Sequence, residues 1–222
     1  MKPGIILQQS FSSGEFHDMM RLTHGRHSAY ARAWEYDFWP VYGDLMTHLP
    51  MYHWGGWGKI NMIQRALEQG YKYIAWIDAD AAIMNFGVDL RDALKGTDAL
   101  IGSCKHDAPW FKDNDIPAHI NTGCMYFKGG ERTLDFIKEW AGTYDVAIKD
   151  RWLEQGQFNR MIYEEKWAGV FKELDAKWNS TVNVNEVAEP LVSGWHGVMP
   201  VSKRAEMMKR VFTKDYFTYK VV

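Results

Sequence analysis

The stretch that most limits how this chain can fold is Tyr71 to Ile77, YKYIAWI, which runs straight into Asp78-Ala79-Asp80. Aromatic and β-branched residues dominate it, and it predicts a short, buried strand. Gly70, just before it, stops the preceding segment, Trp57 to Gln69, in which Ile60, Ile63, Ala66 and Leu67 share one face of a helix. Helix, stop and buried strand set the rhythm for the rest of the chain.

Ile5 to Gln9 reads as a first strand. His17 to Trp34 has helical character, broken around Thr23 to Gly25, and Tyr36 to Tyr42 reads as a second strand. Leu90 to Lys95 predicts a short helix and Ala99 to Cys104 a strand. Ile120 to Phe127 predicts another strand, which Gly129-Gly130 turns into a helix near Leu134 to Trp140. Leu153 to Glu164 reads as a helix, Val170 to Leu174 as a weak strand and Lys203 to Val211 as a basic terminal helix. Strands separated by helices imply an α/β protein with a largely parallel sheet covered on both faces. Ligands of such sheets bind outside the carboxyl ends of the strands, which puts the residues after Ile77 at the expected site.

Composition narrows the function classes. With 222 residues, 46% hydrophobic and 24% charged, the chain suits one compact domain that needs no disulfide or structural metal. A net charge of -2 and an isoelectric point near 6.4 point to neither nucleic acid nor an anionic membrane as partner. Cys104 and Cys124 form no metal-site spacing and read as two buried thiols, in keeping with a reducing compartment. The run Ile5 to Leu7 is too short for a signal peptide or a membrane span, so a soluble, cytoplasmic chain is expected. The 11 tryptophans are read as core packing before sugar stacking.

Asp78 and Asp80 are two positions apart in an extended segment, so their side chains point the same way. Carboxylates that close repel unless a cation or proton intervenes. Oxygen ligands suit magnesium or manganese, whose remaining positions can take diphosphate oxygens. A cation fixed there stabilises the negative charge that leaves when a sugar–phosphate bond breaks.

The segment WGKINMIQRALEQGYKYIAWIDADAAIMN resembles the nucleotide-sugar glycosyltransferases of the GT-A fold. It is most similar to the fungal and plant family of α-galactosyl-, α-mannosyl- and xyloglucan xylosyltransferases. His27 to Trp39, Asn121-Thr122-Gly123, Glu154-Gln155 and Gly194-Trp195-His196-Gly197, with Lys203 beyond, match further family motifs in family order. The resemblance implies a single GT-A domain over 1–222, with a mixed, mainly parallel, Rossmann-like sheet flanked by helices. A donor and metal half would span about 1–105, and an acceptor and catalytic half about 106–222.

The resemblance also implies roles. His196 joins Asp78 and Asp80 on Mn2+ or Mg2+, as a neutral imidazole can. Lys203, helped by Arg204, neutralises the diphosphate, and Lys59 faces donor phosphate. Asn121 offers donor and acceptor groups to a sugar hydroxyl, and Asp107 binds donor-sugar hydroxyls. Glu154 and Gln155 lie near the anomeric carbon, where Glu154 stabilises an oxocarbenium-like transition state or acts as a base. The implied donor is a UDP- or GDP-linked sugar and the implied acceptor a glycan or glycoprotein. Asp80→Ala is expected to abolish manganese-dependent turnover and to leave thermal unfolding nearly unchanged.

Two other readings stand beside this one. A haloacid-dehalogenase-like phosphatase also uses an apolar strand ending in DxD. There the second Asp is usually followed two places on by Thr or Val, where this chain has Ala82. A non-catalytic sugar- or nucleotide-binding module on the same fold is the other, since fold alone does not fix function.

Overall fold

Strand β1 (Lys2–Ser10) lies parallel to β2 (Asp37–Tyr42) on one side and to β3 (Tyr71–Ile77) on the other. Helix α1 (Gly14–Ala33) joins β1 to β2, and α2 (Gly55–Glu68) carries the chain back past β1 to β3. The strand order therefore reverses at β1, and the crevice beyond the carboxyl ends of β1 and β3 is the place where such sheets bind ligands. The computed structural model describes residues 2–10, 14–43, 55–106, 119–147, 152–196 and 198–215.

The sheet continues through β5 (Ile101–Cys104), β6 (Cys124–Lys128) and β7 (Phe171–Leu174) in the order β2-β1-β3-β6-β5-β7. Only β6 runs against its neighbours, antiparallel to both β3 and β5, so the sheet is mixed and mainly parallel as expected. Strand alternation divides its core. Ile5, Leu7, Ile74, Trp76, Met125 and Phe127 face α2, α3 (Glu131–Gly142) and α5 (Leu153–Met161). Ile6, Ala75, Ile77, Cys124 and Tyr126 face the other way, with Tyr30 and Ala31 of α1. Each of the larger of these side chains, fully buried, contributes about 1.5–3 kcal/mol. Both cysteines are buried and free, as read from the sequence.

Four sequence boundaries move. Helix α1 has no break at Thr23 to Gly25, because Gly25 is exposed with nothing near it and the Thr23 hydroxyl donates back to the Met20 carbonyl at 3.1 Å. Strand β6 starts at Cys124, not Ile120, because Asn121 Oδ1 accepts from the Gly123 amide at 2.8 Å and folds Asn121-Thr122-Gly123 into a turn. Leu90–Leu94 is a 3-10 turn capped by Asp89. The terminal helix, α6, is longer than read and spans Val201–Asp215; α4 is the single turn Tyr144–Ala147.

A second, small sheet was not foreseen. It orders β4 (Ala81–Ile83), β9 (Val192–Gly194) and β8 (Ser180–Thr181) as β4-β9-β8. Segments of two or three residues carry no readable period. Helix α6 packs on α1 through Met208, Ala205 and Phe212, with Trp195 and Met19 in the same cluster. Among the described residues, no helix is long and apolar enough to cross a membrane.

Candidate active site

The small sheet builds the site. Antiparallel pairing sets Ala81 opposite Gly194, so the residue just before the first and the residue just after the second become neighbours. Trp195 donates its backbone N–H to the Asp80 carbonyl at 2.9 Å, and His196 follows. On the other side, Asp78 donates its amide to the Gly123 carbonyl at 2.8 Å, which ties the end of β3 to the Asn121-Thr122-Gly123 turn. Asp78, Asp80 and His196 thus converge, with one ligand atom from each lying within 4.8 Å of the others.

The His196 ring reaches this position because two glycines make room for it. A side-chain carbon on Gly123 would lie 2.5 Å from His196 Cε1, and one on Gly194 would lie 2.4 Å from its Nε2. The segment that carries the two aspartates is fixed from behind by a buried polar network. Gln8 Nε2 donates to the Asp78 carbonyl at 3.3 Å and to Thr23 Oγ1 at 3.2 Å. Its Oε1 accepts from His27 Nδ1 at 3.1 Å, while His27 Nε2 accepts the Ile83 amide at 3.1 Å. His27 is therefore a neutral imidazole, and burial pushes its pKa down to about 3.

Charges at the site are arranged in opposition. Asp80 is buried, with Oδ1 at 2.9 Å from His196 Nδ1 and Oδ2 accepting from Arg204 Nη1 at 2.7 Å. Burial alone would raise its pKa, but His196 and Arg204 outweigh burial and hold it well below the usual carboxylate range. The opposite holds for Asp78, where burial wins over Lys59 and His196 and raises the pKa. Burial lowers the pKa of His196, and Asp80 and Asp78 together outweigh it for a net upward shift. Two unlike carboxylates beside an imidazole form an oxygen-rich set with one nitrogen, which suits a divalent cation such as manganese.

Glu154 and Gln155 enter from the first turn of α5. The Glu154 carboxyl packs against Gly56 in the first turn of α2, where the helix N-terminus favours negative charge. Lys59 Nζ lies 3.5 Å from both Glu154 Oε1 and Asp78 Oδ1 and donates to the Thr122 carbonyl at 2.8 Å. It is only 3% exposed, so its charge meets these two carboxylates first. Asp78 and Glu154 outweigh burial and raise its pKa. Gln155 Oε1 accepts from the Thr122 amide at 3.0 Å, and its Nε2 donates to His119 Nε2 at 2.9 Å. Asn121 Oδ1 accepts from Asn179 Nδ2 at 2.7 Å as well as from Gly123.

These residues line one cavity of about 230 Å³, with Lys59, Asp78, Asp80, Asn121, Glu154, Gln155 and His196 on its wall. Lys203 is not among them. Ala205, Met208 and Phe212 turn inward on α6, which leaves Lys203 exposed and brings Arg204 into the cavity instead. The cation offered to the site by this helix is thus Arg204, one residue from the position the sequence motif suggested. Asp107 lies outside the described residues. Asn179 went unnoticed in the sequence, as it sits in an unremarked Trp-Asn-Ser run. A larger cavity, about 450 Å³, lies behind the small sheet among Met84, Ser193, Trp195 and Met207. Its charged lining residues are Glu186 and Arg210, without a convergent set of carboxylates and imidazole.

Residues 6–123 match the galactosyl transferase GMA12/MNN10 family, a span from β1 through the Asn121-Thr122-Gly123 turn. Among solved structures, a glycosyltransferase involved in the glycosylation of the major capsid of PBCV-1 aligns at 20% identity and a TM-score of 0.70, covering 93% of this chain and 98% of that one. The galactosyltransferase LgtC, solved with donor and acceptor sugar analogues, aligns at 10% identity and a TM-score of 0.54 over 95% of each chain. Mouse xyloside xylosyltransferase 1 aligns at 11% identity and a TM-score of 0.52, over 88% of this chain and 98% of its own. At these identities the likeness is one of fold, the GT-A fold of glycosyltransferases. No curated protein matches the chain.

Proposed function

The chain belongs to the galactosyl transferase GMA12/MNN10 family, and from that premise we propose that it is a metal-dependent enzyme that moves a sugar from a nucleoside-diphosphate donor to a hydroxyl of a glycan or glycoprotein. That it is a glycosyltransferase follows from the family. The phosphatase reading falls with the same assignment. Metal dependence and the form of the donor are the parts proposed.

The observation that carries them is the meeting of Asp78, Asp80 and His196 within 4.8 Å. These three residues would hold Mn2+ or Mg2+, and a cation bound there supplies charge stabilisation for the departing diphosphate. Arg204, whose guanidinium already lies against Asp80, adds a second positive group for phosphate oxygens. Glu154 presents a carboxylate to the cavity, 13% exposed and braced by Lys59, to stabilise positive charge developing on the sugar. Asn121 and Gln155, interlocked through Thr122, shape the wall beside it. Asp107 is retained as a donor-sugar contact and Lys203 as an outer contact for the diphosphate. Uridine and guanosine diphosphate are both accepted as carriers. The division into a donor half, 1–105, and an acceptor half, 106–222, belongs to the same proposal.

Thermal-shift screening of UDP- and GDP-sugars with and without manganese tests the proposal, because a ligand that binds only the folded state raises the melting temperature. One nucleotide-sugar is expected to stabilise the protein in the presence of Mn2+ and much less without it. Slow release of nucleoside diphosphate from that donor then separates an active transferase from a binding module. A screen with no manganese-dependent shift for any donor overturns the metal reading.

A further inference from the structure

Among the described residues, three other than glycine have a positive φ: Glu35 (58°), Asn183 (63°) and Leu153 (52°). Two of them have a local reason. Glu35 ends α1, and the Tyr36 amide after it donates to the Ala31 carbonyl at 2.8 Å, the bond that closes left-handed helix ends. Asn183 is of a residue type at ease in that conformation. Neither reason covers Leu153. Its Cβ crowds the backbone in the left-handed region, and it opens α5 rather than ending a helix. Trp152, at the N-cap, makes no side-chain capping bond, so the start of α5 is not set by a cap. A bulky residue stays in such a conformation only where its surroundings hold it there, and such residues gather at active sites.

The surroundings act through the next residue, Glu154, which is held at both ends. Its backbone carbonyl accepts from Trp140 Nε1 at 2.8 Å. The Trp140 side chain is fully buried, so its N–H has no water to turn to. The Glu154 carboxyl is held on the opposite side. A side-chain carbon on Gly56 would lie 2.2 Å from the carboxyl carbon, while Lys59 Nζ and Thr122 Oγ1 lie 3.5 and 3.4 Å from Oε1. One residue on, the Gln155 carbonyl accepts from Asn159 Nδ2 at 2.8 Å. The first turn of α5 is thus anchored to α3, to α2 and to the Asn121-Thr122-Gly123 turn, and the chain arriving from Trp152 meets it by turning left-handed at Leu153.

We infer that Leu153 is a positioning residue for Glu154: the left-handed turn of its backbone, rather than its side chain, aims the Glu154 carboxylate into the cavity beside the aspartates. The inference rests on the reading of Glu154 as the carboxylate that serves the sugar. A right-handed backbone at this position would rotate the first turn of α5 and draw Glu154 off the Trp140 anchor and away from Lys59. Asp78, Asp80 and His196 are carried by other elements and would stay where they are. The turn at Leu153 therefore governs the sugar centre separately from metal and donor binding.

Steady-state kinetics of the full chain test this, together with proton–nitrogen NMR of the Trp140 indole, assigned by its loss in Trp140→Phe. Leu153→Ile keeps the size and composition of the side chain, but β-branching bars it from the left-handed region. It is expected to lower kcat by about 100-fold, the cost of a misplacement of about 1 Å, to leave donor KM and Mn2+ affinity unchanged, and to shift the Trp140 signal. Leu153→Gly removes the side chain and accepts the turn, and it is expected to keep the wild-type kcat and Trp140 signal. The conservative substitution fails and the drastic one succeeds, an order that a side-chain packing role would reverse. Wild-type kcat in the Ile variant overturns the inference, and so does a Gly variant as impaired as the Ile variant. If Leu153→Ile does not fold, Leu153→Ala set against Leu153→Gly decides, because the two differ only in the methyl group that resists the turn: a lower kcat in Ala supports the inference and equal values overturn it. Wild-type kcat in Glu154→Gln overturns the reading of Glu154 instead, and the Trp140 signal in the Ile and Gly variants then decides whether Leu153 sets the turn.

Discussion

Gly194→Ala adds one methyl group next to the His196 ring. The backbone at Gly194 is one that any residue adopts, so the whole effect comes from the added carbon. That carbon would lie 2.4 Å from Nε2 and 2.7 Å from Cδ2 of the ring. Ordinary non-bonded contacts sit at about 3.5–4 Å, so the ring must give way by about 1 Å. It cannot retreat toward Gly123, whose missing side chain it already fills, with Cε1 at 2.5 Å from the position a methyl would take. The ring is left to swing away from the small sheet, and Nδ1 loses its place at Asp80. Overpacking of this kind costs about 1–3 kcal/mol of stability. A misplacement of about 1 Å at a reacting centre costs about a hundredfold in turnover. Chemical unfolding, Mn2+ binding and donor turnover measured side by side should show a folded protein, slightly less stable, with metal affinity and turnover both sharply reduced. A Gly194→Ala protein with wild-type affinity and turnover would refute the argument that His196 works from between two glycines.

Two further outcomes follow from buried charge. Asp80→Ala should abolish metal-dependent turnover and also lower stability by about 3–5 kcal/mol in urea titration, because it strands Arg204 and His196, each only 13% exposed; an unfolding midpoint like the wild type's would contradict it. His27, with its pKa pushed by burial from 6.5 to about 3, is neutral in the folded state, while the unfolded chain takes up the proton. Its contribution is therefore complete above about pH 6.5 and is lost as pH falls toward 3, a swing of up to about 5 kcal/mol. His27→Gln, which keeps one donor and one acceptor, should flatten this part of the stability profile, and an unchanged acid limb would count against it.

The strand Tyr71–Ile77 was legible to the residue, because a short apolar run between a glycine and an aspartate leaves few other options. Asp78 and Asp80 followed from it. His196 was legible only through the order of motifs, since the contact that brings it to Asp80 depends on a three-residue strand with no period of its own. The same limit explains the shift from Lys203 to Arg204. Both are cations at the start of one helix, and which of them turns inward is decided by packing against α1 through Ala205 and Met208. The expectation of unchanged stability for Asp80→Ala gives way to a predicted loss for a related reason. The sequence marked the aspartate as a ligand and gave no sign that an arginine far along the chain leans on it. Gln155 and Asn121 were read as groups free to meet a sugar, whereas much of their hydrogen-bonding capacity is spent on each other, Gly123, His119 and Asn179.

The pairing of Ala81 with Gly194 has a bearing on how the protein comes into being. As the chain leaves the ribosome, both aspartates emerge long before the histidine, and they have no imidazole to work with until the last third has been made. Only when that late strand zips onto the early one do the three side chains meet. On the proposed metal reading, affinity for manganese becomes a measure of completed folding, and a nascent or clipped chain that stops short of β9 is expected to leave the ion in solution.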